Sequence, residues 1–452
     1  MTRIVAAVAV AVALLAPAPA GARTVERPAE APPAPRPLIF VHGGAGSGAQ
    51  FESQAMRFAS NGYPQDRLAV HEYDSTFGIN TMEQVWAGLD ALVAERLAAT
   101  GADQVDLAGH SLGTTVLQGY LTSSPERAAR VAHYVNIDGR TAPAPPGGVP
   151  TLAVWGEGNP ARAIVGAENW YAPDQSHVQV ATSAETFGQI YRFLTGSAPA
   201  TTDVVPEPPG RVTISGEANL FPSNVAAPGT TVEVWRVKAG TGERRGTAPK
   251  AAFPVAADGS WGPVAVVGGR HYELALTRDD GSTHHFYFSP FLRDDHFLRL
   301  LTSEPGTGID LLRDQSDGTT SLTIARYKEW WGDQGAGNDV LQIAGTDVVT
   351  PVIAPRAKRV NALFAFDDGL DGVTNLAAPI PNLFALPFIS GADLVIPAAT
   401  PPDATVGVRM VARAGDGVAE VINVRNWPSS TDHISVQFRD FEQADETWPY
   451  RT

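Results

Sequence analysis

The chain contains one Gly-x-Ser-x-Gly, Gly109-His110-Ser111-Leu112-Gly113, which follows the apolar run Val105–Ala108 and precedes a helix-compatible stretch, Leu112–Leu121. A serine on so sharp a strand-to-helix turn sits in strained backbone, and flanking glycines remove side chains that would clash there. Its hydroxyl then projects above the sheet at the positive end of the following helix. The chemistry this predicts is acyl transfer with Ser111 as nucleophile. Such a reaction passes through a tetrahedral oxyanion, which needs two preorganised N–H donors, each worth about 3 kcal/mol. The backbone N–H of Leu112 is expected to be one. The other is expected from His42-Gly43-Gly44-Ala45-Gly46-Ser47, where the donor after the His-Gly pair is Gly44. No Gly-Lys-Ser/Thr follows this loop, so it is not a Walker phosphate cradle.

The serine needs a base. In the order Ser, acid, His, the histidine comes last, and His177 opens the stretch leading into the final amphipathic helix of the first half. His133 lies inside an apparent strand and His110 inside the elbow; both read as structural. The acid is less sharply marked. Asp138 ends a strand in Asn136-Ile137-Asp138-Gly139, at the carboxyl edge beside Ser111. A carboxylate there can hold the imidazole Nδ1 and fix its tautomer. Glu157, Asp174 and Asp106 are the alternatives. In the later turn Trp155-Gly156-Glu157-Gly158-Asn159, the position where an aspartate is usual carries Asn159, and an amide cannot stabilise an imidazolium as a carboxylate does.

These residues must be held by an α/β scaffold. Residues 36–196 alternate short apolar runs with amphipathic stretches. Pro37–Val41, Leu68–Val70, Val105–Ala108, Val131–Ile137 and Thr151–Trp155 read as strands buried on both faces. From Met82 to Leu97, Val85, Leu89, Leu92, Val93 and Leu97 recur at helical spacing, with Glu83, Asp90 and Glu95 facing away. Buried strands alternating with helices predict a mostly parallel sheet. Composition shifts at Ser197–Pro209, read as a linker. Beyond it, alternation of period two and the turns Asp258-Gly259 and Asp280-Gly281 predict a β-sandwich-like domain over 210–293 and a further β-rich domain over 294–452.

Composition excludes several functions. The chain has 452 residues, a net charge of −15 and no cysteine. An acidic surface repels phosphate backbones, so nucleic acid is not the partner. Disulfides, thiolate metal sites and a cysteine nucleophile are ruled out. Residues 1–22 read as a secretory signal peptide, with Arg3 before an apolar run from Ile4 to Ala16 and small residues at a cleavage site. Residues 23–35 read as a disordered Pro/Ala-rich leader, and the expected location is extracellular. No later apolar run approaches the ~20 residues of a membrane span.

Over 36–196 the His-Gly-Gly loop, the Gly-His-Ser-Leu-Gly elbow, the aspartate after the next strand and the His-Val start of the last helix resemble a minimal α/β hydrolase of the bacterial lipase type. The whole chain resembles a group of secreted and archaeal lipases in which such a domain precedes a large β-rich C-terminal part. That resemblance implies Asp138 as the acid. It also implies hydrolysis of carboxylic esters with long acyl chains, on a lipid or ester substrate presented at an oil–water interface. No cofactor or metal is implied.

Two rival readings stand: another secreted acyl hydrolase, such as a polyester depolymerase, or a lipid- or wall-binding protein with a vestigial hydrolase domain. Only 27 positions separate Ser111 from Asp138, which leaves no room for a long helical lid. Either the site is open or the C-terminal half covers it, with Asn382–Ile389 or Trp330-Trp331 as apolar cover and ordinary core as the other reading. Asp367–Gly372, His284-His285 and Asp294-Asp295-His296 could bind a cation, and read first as a solvated turn and structural residues.

Overall fold

The computed structural model describes residues 35–413, 415 and 417–439. The expected signal peptide and nearly all of the leader lie outside the described residues. Six strands form one parallel sheet: β1 Leu38–Val41, β2 Leu68–His71, β3 Val105–His110, β4 Val131–Ile137, β5 Thr151–Trp155 and β6 Glu168–Tyr171, in the order β2-β1-β3-β4-β5-β6. Successive residues of a strand point to opposite faces. Leu38 and Phe40 therefore enter one core, with Phe51, Phe58, Phe187 and Ile190. Ile39 and Val41 enter the other, with Val85, Leu89, Val116 and Leu117.

Helices α1 Glu52–Ser60, α2 Met82–Thr100, α3 Leu112–Ser123, α4 Pro125–Ala129, α5 Gln179–Thr182 and α6 Ala184–Thr195 connect these strands or follow the last of them. The helix expected over 82–97 runs to Thr100. Thr81 and Gln84 form a capping box at its start, and Gly101, at φ 66°, closes its end. The site forms where loops leave the carboxyl ends of β1, β3, β4 and β6, the edge at which parallel α/β sheets place their ligands.

The remaining strands are β7 Val212–Leu220, β8 Val225–Ala226, β9 Thr230–Arg236, β10 Ala251–Pro254, β11 Ser260–Val266, β12 Tyr272–Arg278, β13 Thr283–Phe288, β14 Asp295–Thr302, β15 Leu322–Arg326, β16 Val340–Ile343, β17 Thr346–Asp347, β18 Ala362–Phe366, β19 Ile389–Asp393, β20 Thr405–Val411, β21 Glu420–Arg425 and β22 Asp432–Phe438, with the short helix α7 Pro381–Phe384 before β19. They make an eight-stranded sheet, β10-β9-β12-β13-β22-β15-β18-β19, and two smaller ones, β11-β7-β14 and β17-β16-β20-β21. The sheet β11-β7-β14 packs on part of the large sheet through Val212, Ile214, Val232, Leu274 and Phe286. The two sheets form a stack to which β14, beyond residue 293, contributes a strand. β14 pairs β7, and β22 inserts between β13 and β15 in parallel with both. Those pairings join residues far apart in the chain, which no local pattern records.

One face of the large sheet is core: Tyr287, Ile434, Val436, Leu322, Ile324 and Leu363. The opposite face carries rows of partners set by register. His284 lies opposite His433. Phe286, Ser435, Thr323 and Phe364 make the next row, and Phe288, Gln437, Ala325 and Ala362 the third.

The halves pack together closely; the described residues form one compact unit. Phe297 of β14 stands edge-on to Phe40 of β1, with centroids 6.3 Å apart. Arg299 bonds Glu72 at 2.6 Å, and Arg439 bonds Glu52 at 2.9 Å. Residues of the expected linker are held by α1: Arg57 Nε donates to the Thr202 carbonyl at 2.8 Å, and the Val205 N–H donates to Ser60 Oγ at 2.9 Å.

Candidate active site

Ser111 stands between β3 and α3 at φ 52° and ψ −119°, a backbone conformation that a non-glycine residue holds only under constraint. The elbow glycines are required by contact. A Cβ on Gly109 would lie 2.9 Å from the carbonyl of Gly113, and one on Gly113 only 2.2 Å from the Val41 carbonyl oxygen. Backbone cannot yield cheaply, so Gly113→Ala is expected to destabilise the fold by about 3 kcal/mol or more. Thermal or urea unfolding checks this; an unshifted midpoint would mean β1 and the elbow do not pack as described.

Asp138 and His177 meet. His177 Nδ1 lies 2.6 Å from Asp138 Oδ2. The other carboxylate oxygen accepts the Gly156 N–H at 2.8 Å and pairs with Arg162 Nη1 at 2.9 Å. Burial raises the Asp138 pKa, but the bond and charge of His177, the Gly156 N–H and Arg162 outweigh it and bring it down to about 2. The alternatives go elsewhere. Glu157 pairs with Arg356 of the C-terminal half at 2.7 Å. Asp106 bonds His133 at 2.8 Å. Asn159 accepts the Ala161 N–H. Asp174 makes no hydrogen bond to His177 among the described residues.

Ser111 and His177 line one cavity, and no hydrogen bond joins Ser111 Oγ to the imidazole. Such contacts are often open until substrate binds. Around them, loop amides are partly spent: Gly43 N–H on Gln50 Oε1 at 3.3 Å, Ala45 N–H on Ser75 Oγ at 2.9 Å, and Gly46 N–H on the Gly43 carbonyl at 3.2 Å. Gly44 and Leu112 are neighbours, since a Cβ on Gly44 would lie 3.9 Å from Leu112 Cδ2. Their N–H groups make no hydrogen bond among the described residues.

Several positioning residues carry no sequence signal. His110 Nε2 bonds the His177 carbonyl at 2.8 Å, and its Nδ1 meets Gln50 Nε2. Burial, with the charge of His177, lowers the His110 pKa to about 3. The neutral ring therefore carries its proton on Nε2. Glu329, fully buried in the C-terminal half, takes the Ser176 hydroxyl, the Val178 N–H at 2.6 Å and the Gln179 N–H at 3.2 Å. The loop bearing His177 is thus clamped by a carboxylate 152 positions downstream.

Of the expected apolar cover, Phe388 stacks on His177 with centroids 6.1 Å apart. Trp330 is core, and Trp331 lies between Arg356 and Arg413. His284 and His285 point to opposite faces of β13, where His285 bonds Glu273 and Asp432. Asp367 accepts the Gly372 N–H within its own turn. No group of three or more metal-ligating side chains occurs among the described residues.

The six parallel strands, the serine elbow after β3 and the β-rich half define the class: an α/β hydrolase followed by β-rich sheets. Residues 35–123 match the model of the lipase (class 2) family and residues 210–305 that of the lipase C-terminal domain, while a further C-terminal-domain model matches 308–442. The matched segments are thus similar to lipase/esterase-like hydrolases. No curated protein matches it. Solved structures that resemble it include carboxylesterase CesB from Bacillus subtilis, 16% identical, covering 37% of this chain and 86% of that one at TM-score 0.26. Another is a predicted hydrolase from Thermoplasma acidophilum, 14% identical, covering 36% and 87% at TM-score 0.26. Phospholipase PlaB from Legionella pneumophila is 8% identical, covering 91% and 97% at TM-score 0.22.

Proposed function

We propose that this chain hydrolyses carboxylic esters of long fatty acids through an acyl-enzyme on Ser111. The observation that carries the reading is the His177–Asp138 hydrogen bond at one end of a cavity that also holds Ser111. Ser111 Oγ attacks the ester carbonyl while His177 Nε2 takes its proton. Asp138 holds Nδ1–H and stabilises the imidazolium. The oxyanion is received by the Gly44 and Leu112 amides. His177 then protonates the departing alcohol, and water repeats the sequence to release the acid.

The cavity, ≈ 280 Å³, runs from the elbow over the large sheet, with Phe286, Phe288, Phe364 and Ile389 among its walls. Each methylene buried there is worth about 0.8 kcal/mol. With p-nitrophenyl esters, kcat/KM is expected to rise steeply from acetate to decanoate. A panel in which acetate is the best substrate, or in which no ester is cleaved, would overturn the reading.

A further inference from the structure

The apolar wall of the cavity ends in cations. His284 and His433 close the floor at one end of β13 and β22, their rings 4.3 Å apart. Four residue steps along β22, from His433 to Gln437, separate them from the third row, about 13 Å of strand. Arg278 and Arg313 line this far end. Both lie close enough to the two imidazoles to act with burial, the larger cause, in holding those rings neutral.

Arg313 is buried, its side chain 4% exposed. One nitrogen meets Asp310, while Nε and Nη1 have no acceptor. Arg278 donates to Thr302 Oγ1 at 2.6 Å and to the Ser303 carbonyl at 2.9 Å. Among the described residues no carboxylate lies within ion-pair distance of Arg278. The nearby Asp432 bonds His285 on the opposite face of the sheet. The lining of the far end therefore holds two guanidiniums, Arg278 and Arg313, and two carboxylates, Asp310 and Asp432, of which Asp432 is taken by His285. Arg313 lines the cavity, and two donor-bearing nitrogens of this buried cation lack an acceptor within the chain, so an acceptor brought by a ligand would complete its hydrogen bonding.

We propose that the cavity takes an ester whose acyl chain ends, remote from the scissile bond, in an anionic oxygen group, a carboxylate or a phosphate, which Arg313 binds with Arg278 beside it. The proposal rests on the ester-hydrolase reading for the scissile end only. The far group would fix how deeply the chain is threaded, and so which chain length brings the ester to Ser111.

The test compares p-nitrophenyl decanoate with the mono-p-nitrophenyl esters of sebacic and succinic acids and with a decanoate bearing a terminal phosphate. In the native protein the sebacate ester should exceed the succinate ester in kcat/KM by about tenfold or more. The ratio of sebacate to decanoate should fall about tenfold or more in Arg313→Met, as loss of a charged hydrogen bond requires. The two ω-substituted esters identify which anion is preferred. A ratio unchanged by the substitution would overturn the proposal. Arg278→Met, on a partly exposed strand end, gives the same ratio if Arg313→Met does not fold.

A binding arm separates this proposal from the hydrolase reading. Decanoate should bind the Ser111→Ala protein about tenfold or more tighter than 1-decanol by calorimetry, and adding Arg313→Met should abolish the difference. That result with no ester cleaved by the native protein would keep the anion site and reject the hydrolase reading. Equal binding of acid and alcohol would reject the anion site.

Discussion

Ser111→Ala is expected to lower kcat for ester hydrolysis by about 10⁴-fold or more, leaving only what oxyanion donors and substrate binding contribute. The protein should stay folded. Alanine meets the same φ of 52° that serine does, and no hydrogen bond among the described residues depends on Oγ. The unfolding midpoint should therefore stay in place while activity disappears, which separates lost chemistry from lost structure. A phosphonate ester should label the native protein at Ser111 and leave the alanine variant untouched. Full labelling of the variant, or hydrolysis persisting within tenfold of native, would place the nucleophile elsewhere.

Replacing Asp138 by asparagine should cost about 10⁴-fold in kcat, for a reason legible in the geometry. Both groups on the Oδ1 side, the Gly156 N–H and Arg162, are donors. An asparagine must therefore turn its carbonyl oxygen toward them and its NH₂ toward His177. The NH₂ then donates to Nδ1, which moves the imidazole proton to Nε2, the atom that must accept the serine proton. Glu157→Gln removes a partly exposed ion pair with Arg356 and should change the rate by less than about fivefold. The opposite ranking would move the acid to the loop after β5.

The native pH profile carries the same information. A carboxylate whose pKa is depressed to about 2 is ionised throughout the range above it, and His110, lowered to about 3, stays neutral there. Between pH 4 and 9 neither group should add a limb to kcat/KM, which leaves at most the one limb of a general base. A second acid limb in this range would mean that Asp138 or His110 titrates there and is not held as described.

How the site could be read from sequence depends on where its parts lie. Ser111, Asp138 and Gly44 each follow a short, largely apolar strand, directly or after a brief loop, whereas the strand before His177, Glu168–Tyr171, is polar and partly exposed. In a parallel sheet all such loops emerge at one edge, so the sequence alone nominates the residues that gather there. The glycines beside Ser111 belong to the same local logic, because the contacts that exclude a Cβ lie within the elbow and on the neighbouring strand β1.

The positioning groups obey no local rule. Glu329 reads as one acidic residue before Trp330-Trp331, and only the packing of the halves brings it to the Val178 and Gln179 amides. Arg313 reads as a charge in a polar loop, and becomes a buried donor because β13, β22 and the segment after β14 meet around it.

By itself the sequence determined the elbow, the order of the site residues, the parallel sheet that aligns them and the β-rich nature of the second half. Those follow from backbone sterics and from apolar periodicity over a few residues. Tertiary structure alone decided that β22 lies between β13 and β15, that one face of that sheet floors a cavity reaching Ser111, and that a carboxylate from the far half holds the histidine loop. Parallel pairing between strands some 110 to 150 positions apart depends on matching whole faces and paying the closure entropy of the chain between them, and neither quantity is written in any local stretch.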